Sequence, residues 1–284
     1  MSRLFLYANL DATVGLRVDD PTLEALAGDL HSAALSSVAD CPPDAEADLA
    51  WSDAKDDLVQ ISLRGEAWET PMAAADAFFQ SENLLTRLFC SKLTGLLQLH
   101  AAAVADDAGR AWLICGPSRA GKTSLALSLM LEGWNWLTDE LVLVDEAAPT
   151  RLKGFKRNFN LKEPSWPLFP ETDQLPHRRE SWSGHHQANI RFIDPEALKP
   201  DSFVPEADLA GILLPAYSED GDSPVFEKTP GMAATQALLP EVTAPSASMV
   251  SVIAGWARDV PVLRVTYNNP REIPASLRES HPFD

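Results

Sequence analysis

The sequence predicts an α/β fold built around a phosphate-binding loop and preceded by a small α+β unit, on three observations. An apolar run, Ala111 to Cys115, leads into Gly116-Pro117-Ser118-Arg119-Ala120-Gly121-Lys122-Thr123, and a helix-forming stretch follows from Ser124 to Glu132. From Gly95 onward, helix-like and strand-like segments alternate, the pattern of α/β folds. Residues 1 to 68 hold short strand-forming runs and one short helix but no catalytic motif. The expected organisation is an N-terminal unit over 1–68, a linking helix over 69–94, and a P-loop domain over 95–284.

Residues 3 to 8 and 13 to 18 (RLFLYA, TVGLRV) are strand-forming, and Asp20-Pro21 opens a short helix. His31 to Glu46 is small, polar and carries Cys41-Pro42-Pro43, which reads as a loop. Leu49 to Ser52 and Leu58 to Leu63 are further strands, the second alternating apolar and polar residues. Thr70-Pro71 supplies a cap and a first-turn proline for a helix running from Met72 to Leu93. LLQLHAAAVA, the Asp106-Asp107-Ala108-Gly109 turn and AWLIC together predict a β-hairpin. SLALSLMLEG, WNWLTDELVLVDE, ADLAGILLPAY, a helix around Gly231 to Leu239, VPVLRVTY and a short final helix complete the alternation. Pro164 to Pro176 and Ser218 to Pro230 are proline-rich and lack periodicity, so they read as loops or lids, and no internal repeat is present.

Lys and Arg number 23 against 41 Asp and Glu, a net charge of −18. That balance excludes sequence-independent binding to nucleic acid or to an anionic membrane, since both need a surplus of cations facing a polyanion. The deficit is concentrated: residues 1 to 60 contain 12 acids against Arg3, Arg17 and Lys55. Conversely, Arg151 to Lys162 carries Arg151, Lys153, Lys156, Arg157 and Lys162 with no acid, a basic island. Cys41, Cys90 and Cys115 have neither paired nor metal-ligand spacing, which points to a reducing compartment. The N-terminal apolar run is broken by Asn9 and Asp11, and no uninterrupted apolar stretch reaches membrane-spanning length, so a soluble, cytoplasmic protein is expected.

Gly116 to Thr123 satisfies G-x-x-x-x-G-K-[ST] at every defined position. Glycines allow the backbone N–H groups to converge on phosphate oxygens, and the helix from Ser124 adds its positive end. Lys122 reaches for the β- and γ-phosphates, and Thr123 offers a hydroxyl to Mg²⁺. Gly133 is a natural end for the helix. Two acid positions compete for the chemistry. LVLVD places Asp145 at the end of a hydrophobic strand, as in a hydrolytic or motor NTPase, whereas WNWLTDE places Asp139 and Glu140 after a short strand, able to divide base and metal roles.

His100 to Glu140, HAAAVADDAGRAWLICGPSRAGKTSLALSLMLEGWNWLTDE, resembles the catalytic core of the HPr serine kinase/phosphorylase superfamily, in its HPr-kinase-related branch beside peptide-modification systems. His100, Ser118, Gly121, Lys122, Thr123, Gly133 and Asp139 fall on that family's motif positions, and the likeness covers roughly residues 95 to 275. The resemblance implies a P-loop kinase core akin to phosphoenolpyruvate carboxykinase, with ATP and Mg²⁺ as cofactors. It also implies that Asp139 accepts the proton of a substrate serine hydroxyl. Glu140 replaces the family's second aspartate as metal partner, and His100 bonds a phosphate oxygen or lies satisfied in the hairpin core.

The family's E-I-R-G segment is missing, and its local counterpart, His186 to Leu198, has no acid at the matching point, so phosphorylation without efficient dephosphorylation is expected. The resemblance places Lys162, with Arg157 nearby, where an anionic substrate group would be held; structural pairing with the acidic N-terminal part is the alternative. His185-His186 reads as a solvated loop, and Cys115 as a small buried strand residue. The expected activity is ATP-dependent phosphorylation of a hydroxyl on a small protein or ribosomally made peptide. A nucleotide-binding sensor or assembly module without transfer, and a small-molecule kinase on the same fold, are the rivals. HPr kinases are hexamers, which admits a homo-oligomer, although the N-terminal part does not match theirs.

Overall fold

In the computed structural model, which describes residues 2–35, 42–52, 58–93, 95–176, 179–183, 188–219, 224–243 and 246–280, the chain starts with β1 (Arg3–Asn9), β2 (Ala12–Val18) and α1 (Pro21–Asp29). It continues through β3 (Ala45–Trp51), β4 (Val59–Leu63), β5 (Glu66–Ala67), α2 (Ala74–Lys92), β6 (Leu96–Leu99), β7 (Ala101–Ala105), β8 (Ala111–Cys115) and α3 (Lys122–Leu131). Then come β9 (Asn135–Thr138), β10 (Val142–Asp145), β11 (Ala148–Lys153), β12 (Phe159–Lys162), β13 (Arg179–Ser183), β14 (Ala188–Ile193) and α4 (Pro195–Leu198). The last elements are β15 (Glu206–Tyr217), β16 (Val225–Lys228), α5 (Gly231–Leu238), α6 (Ala247–Asp259), β17 (Val262–Tyr267) and α7 (Ile273–Ser280). The architecture is mixed α/β.

Two compact units form, one from Met1–Thr94 with Lys156–Leu198, the other from Gly95–Phe155 with Lys199–Asp284. This corrects the expected continuous 95–284 domain: residues 156–198 belong with the N-terminal unit, so the P-loop unit is assembled from two chain segments. It also corrects the reading of 69–94 as a linker, because α2 packs within the first unit against β13, β2 and β4.

The first unit holds a five-stranded sheet in the order β1-β2-β3-β4-β5 and a three-stranded sheet in the order β12-β14-β13. Asp20 caps α1, its carboxylate accepting the N–H of Thr22 at 2.8 Å, and Pro21 fills the first helical position where an N–H would be unsatisfied. Thr70-Pro71 does not cap α2. Met72 instead exchanges backbone hydrogen bonds with Val59 (2.7 and 3.0 Å), which holds that residue extended, and the helix begins only at Ala74. The buried face of α2 carries Phe78, Leu85, Leu88 and Phe89, and also the charged Glu82. Glu82 pairs with Arg157 and accepts from His31 Nε2 at 3.2 Å.

The second unit is built on a nine-stranded sheet whose main path is β6-β10-β11-β15-β8-β7-β9, with β17 beside β15 and β16 beside β17. β15 runs parallel to both β8 and β17, while the other pairings are antiparallel. Every residue of β7 and β8 is buried, as expected for strands covered on both faces. The predicted hairpin is realised by β7 and β8 alone. Asp106 shapes its turn by accepting the N–H groups of Ala108 and Arg110 at 3.0 and 2.9 Å, whereas LLQL breaks away at His100 as β6 and pairs with β10.

Two stretches read as loops contain structure: Pro164 to Pro176 holds 3₁₀ turns at Glu163–Leu168 and Pro170–Gln174, and Ser218 to Pro230 holds strand β16 on the edge of β17. Cys41, His185 and His186 lie outside the described residues. Among the described residues no helix is long and apolar enough to cross a membrane.

Candidate functional site

The P-loop leaves β8 at Cys115, closes through Gly116 to Gly121 and becomes α3 at Lys122. Three residues of the loop take a positive φ, Gly116 at +156, Arg119 at +72 and Gly121 at +100. Gly121 could carry no side chain in this conformation, since a Cβ there would stand 1.9 Å from the hydroxyl oxygen of Tyr267. No side chain of the N-cap residue, Gly121, caps the helix start, and a helix N-terminus of this kind carries a positive end that favours an anion. At the other end α3 closes as a Schellman motif on Gly133 (φ +104): Gly133 N–H donates to Met130 O and Trp134 N–H to Leu129 O, at 3.0 and 3.1 Å.

Lys122 is buried, and its ammonium donates to Gly116 O at 2.6 Å and Pro117 O at 3.4 Å, so the loop's own carbonyls hold it across the loop mouth. The hydroxyl of Thr123 stands 3.0 Å from both carboxylate oxygens of Asp139. Asp139 is only 2% exposed and follows β9, which pairs with β7. The competing acid, Asp145, is engaged elsewhere, accepting the N–H of Ala147 at 2.9 Å in the turn between β10 and β11. The hydrolytic arrangement with Asp145 at the phosphates therefore finds no geometric support, while Asp139 lies against the loop.

Glu140 adopts φ +144, a backbone setting that side chains rarely occupy, and its N–H donates to Ala101 O at 3.0 Å. Strain of this kind concentrates at functional sites, where surrounding structure has to enforce it. Its carboxylate is 3.8 Å from Nε2 of His100. The other ring nitrogen, Nδ1, pairs with Glu241 Oε2 at 2.9 Å, and His100 N–H donates to Glu241 O at 2.7 Å. Burial, reinforced by the charge of Lys122, holds the His100 pKa below its ordinary 6.5 even though Glu140 and Glu241 pull it upward. The lowered pKa favours the neutral imidazole, and in the tautomer that carries its proton on Nδ1 the ring donates to Glu241.

That orientation is testable. Glu241→Ala should lower stability by about 1.5 kcal/mol, the low end for a hydrogen bond to a charged group because His100 stays partly exposed. It should also release the tautomer, read from the ¹⁵N shifts of the ring. Glu241→Gln, which retains an acceptor, should keep the Nδ1–H form, and an unchanged ring spectrum in the alanine variant would refute the pairing.

Cys115, at the strand end, is buried with its thiol pushed up to about 12, first by burial and then by Glu241, which leaves it an inert core residue at neutral pH. Tyr267 donates from its hydroxyl to Ala120 O at 3.3 Å and so braces the loop from β17. Sequence reasoning missed Glu241 and Tyr267. Tyr267 closes an alternating strand, so its register is visible but its partner is not, and Glu241 sits in a Leu-Pro-Glu turn that no motif marks.

The basic island is divided between the two units. Arg151 and Lys153, on β11, reach Glu206 at 2.7 and 4.0 Å across to β15, whereas Lys156, Arg157 and Lys162 belong to the first unit. Arg157, expected to hold substrate, is instead 4% exposed and paired with Glu82, the structural alternative, although with α2 rather than with the acidic strands. Lys162 ends β12 in the first unit, partly exposed. The first unit also has a cavity of about 270 Å³ lined by Ser2, Arg17, Asp19, Asp48, Leu49 and Ala50, in which Arg17 is committed to Glu46 at 2.7 Å.

No family model matches the sequence, and no curated protein matches it. Among solved structures, the Hpr(Ser) kinase/phosphatase from Coxiella burnetii is similar to this chain at 13% identity and a TM-score of 0.33, covering 65% of this chain and 95% of that one. A likeness of that size carries no argument about activity, substrate or cofactor, and those rest on the geometry of the loop and its neighbouring acid.

Proposed function

We propose that this protein is an ATP-dependent phosphotransferase that moves the γ-phosphoryl group to a hydroxyl, a serine of a small protein or of a ribosomally made peptide. The observation that carries this reading is the contact between the P-loop hydroxyl of Thr123 and the buried carboxylate of Asp139. A complete P-loop alone binds phosphate, but an acid held against its metal-facing hydroxyl adds a group able to act on the reacting atoms.

The residues present fit Mg²⁺. Thr123 Oγ1 and Asp139 offer hard oxygen donors side by side, and no cluster of three or more His, Cys, Asp or Glu among the described residues forms a cage of its own. That suits an ion bound by one or two protein oxygens together with substrate phosphates and water. When bound, it would neutralise charge on the β- and γ-phosphate oxygens.

The chain's own part follows from its groups. The loop amides and the first turn of α3 donate to phosphate oxygens, and Lys122 exchanges the Gly116 and Pro117 carbonyls for them. Asp139 takes the proton from the acceptor hydroxyl as its oxygen bonds phosphorus and the bond to the departing diphosphate breaks, which leaves ADP and a phosphoester. Glu140, the next residue, would serve as metal partner, and neutral His100, 3.8 Å from its carboxylate, is a hydrogen-bonding rather than a cationic neighbour.

Incubating the full-length protein with γ-labelled ATP, Mg²⁺ and peptides, small proteins and small molecules from its source tests the reading. Label should pass to an acceptor hydroxyl, and Lys122→Ala should reduce transfer by about 10³-fold or more through lost charge stabilisation. Wild-type protein that binds ATP yet labels nothing would overturn transfer and leave a nucleotide-binding sensor. Label confined to a small molecule would replace the peptide acceptor with a metabolite.

A further inference from the structure

We propose that Tyr217 is a stacking platform for the purine base of the nucleotide whose phosphates the Gly116–Thr123 loop holds, a role that rests on the phosphotransferase reading of that loop. β8, β15 and β17 run parallel, and ligands of such sheets settle beyond the carboxyl ends of the strands. β8 ends in the P-loop, and the end of β15 lies beside it: Pro215 Cδ is 4.0 Å from where a Cβ on Gly116 would stand. Two residues further along, β15 ends on Tyr217.

The face on which Tyr217 sits follows from strand register. Tyr217 is the pairing partner of Tyr267 in the parallel β15–β17 ladder, so both rings stand on one face of the sheet. Tyr267 reaches the loop on that face through its bond to Ala120 O, which places Tyr217 on the loop side as well. The two rings meet at 6.5 Å and 78°, an edge contact that steadies Tyr217 without covering it.

The contrast in exposure points to a ligand. Tyr267 is 2% exposed and has a structural task, whereas Tyr217 is 60% exposed at the end of the strand that passes Gly116. An aromatic face open at that position suits the flat, apolar part of a nucleotide, while its polar part is met by loop amides and Lys122. Stacking on one ring reads the π-face and not the edge of a base, so adenine and guanine should be accepted about equally.

Titration calorimetry on the full chain with Mg²⁺ present tests this, using ATP, GTP and inorganic tripolyphosphate as probes against wild type, Tyr217→Ala and Tyr217→Phe. Tyr217→Ala should weaken ATP and GTP by about tenfold, the scale of one lost base–aromatic stack, and leave tripolyphosphate within about twofold. Tyr217→Phe should bind all three like wild type. Equal weakening of all three probes, or no change in any, would overturn the platform while leaving the P-loop reading intact. A wild-type protein that binds neither nucleotide nor tripolyphosphate would overturn the phosphate reading itself, and the platform with it.

Discussion

Asp139→Asn should lower phosphoryl transfer by about 10²–10⁴-fold, the range that a positioned proton acceptor contributes. The substitution keeps the shape of a side chain that is 2% exposed, and an amide oxygen can still accept from Thr123, so the fold should survive. What disappears is the negative charge and the ability to take a proton. The contact with Thr123 also admits a second role, because an acid beside the metal-facing hydroxyl can orient the metal instead of accepting the proton. Steady-state kinetics at several Mg²⁺ concentrations separates the two. A base predicts a fall in kcat with the Mg²⁺ requirement unchanged, while a metal-orienting acid predicts a fall that high Mg²⁺ partly reverses. Transfer at the wild-type rate would remove Asp139 from the chemistry altogether.

Arg157→Met should destabilise the first unit by about 3–5 kcal/mol, the cost of leaving a buried carboxylate without its cation. Glu82 and Arg157 are 1% and 5% exposed at their side chains, so water cannot replace the lost partner. For a unit of this size the melting temperature should fall by roughly 10 °C. Combining it with Glu82→Gln should recover part of the loss, since the charge that needed a partner is then gone. The same pair sets a pH dependence. Burial alone would raise the Glu82 pKa, but the Arg157 charge and the hydrogen bonds from His31 and Arg157 outweigh burial and hold it below its ordinary 4.5. A depressed carboxyl contributes stability that is complete above the unfolded value and is lost as the pH falls through the folded one. Wild type should therefore lose this contribution only below about pH 4.5, and that part of the acid loss should be absent from Arg157→Met. A rise in KM with an unchanged melting temperature would contradict the structural role and restore a substrate-binding one.

Whether a feature could be read from the sequence depended on how far along the chain its cause lay. The turn from β8 into α3 was legible because its glycines, lysine and threonine lie within one loop and one helical turn. The β7–β8 hairpin was legible because Asp106 builds its turn from the N–H groups of residues two and four positions away. The start of α2 was misplaced because Thr70-Pro71 satisfies the local rule for a helix entry, while a backbone pairing with Val59 takes precedence. The break at His100 had no local signal: a run of strand-forming residues is divided between two neighbours in the sheet, and Glu241, 141 positions away, takes up the His100 N–H and ring.

The sequence by itself determined a mixed α/β chain, the glycine-rich turn from β8 into α3, and the acid pair that follows the next strand. Short-range geometry suffices for those, because backbone conformation and helix entry depend on residues within a few positions. Only the tertiary structure set Asp139 against Thr123, divided the basic island between two units, and made Arg157 the buried partner of Glu82. A charge removed from water must find its counter-charge wherever the fold brings one, here 75 positions away, and spacing along the chain carries no record of that choice.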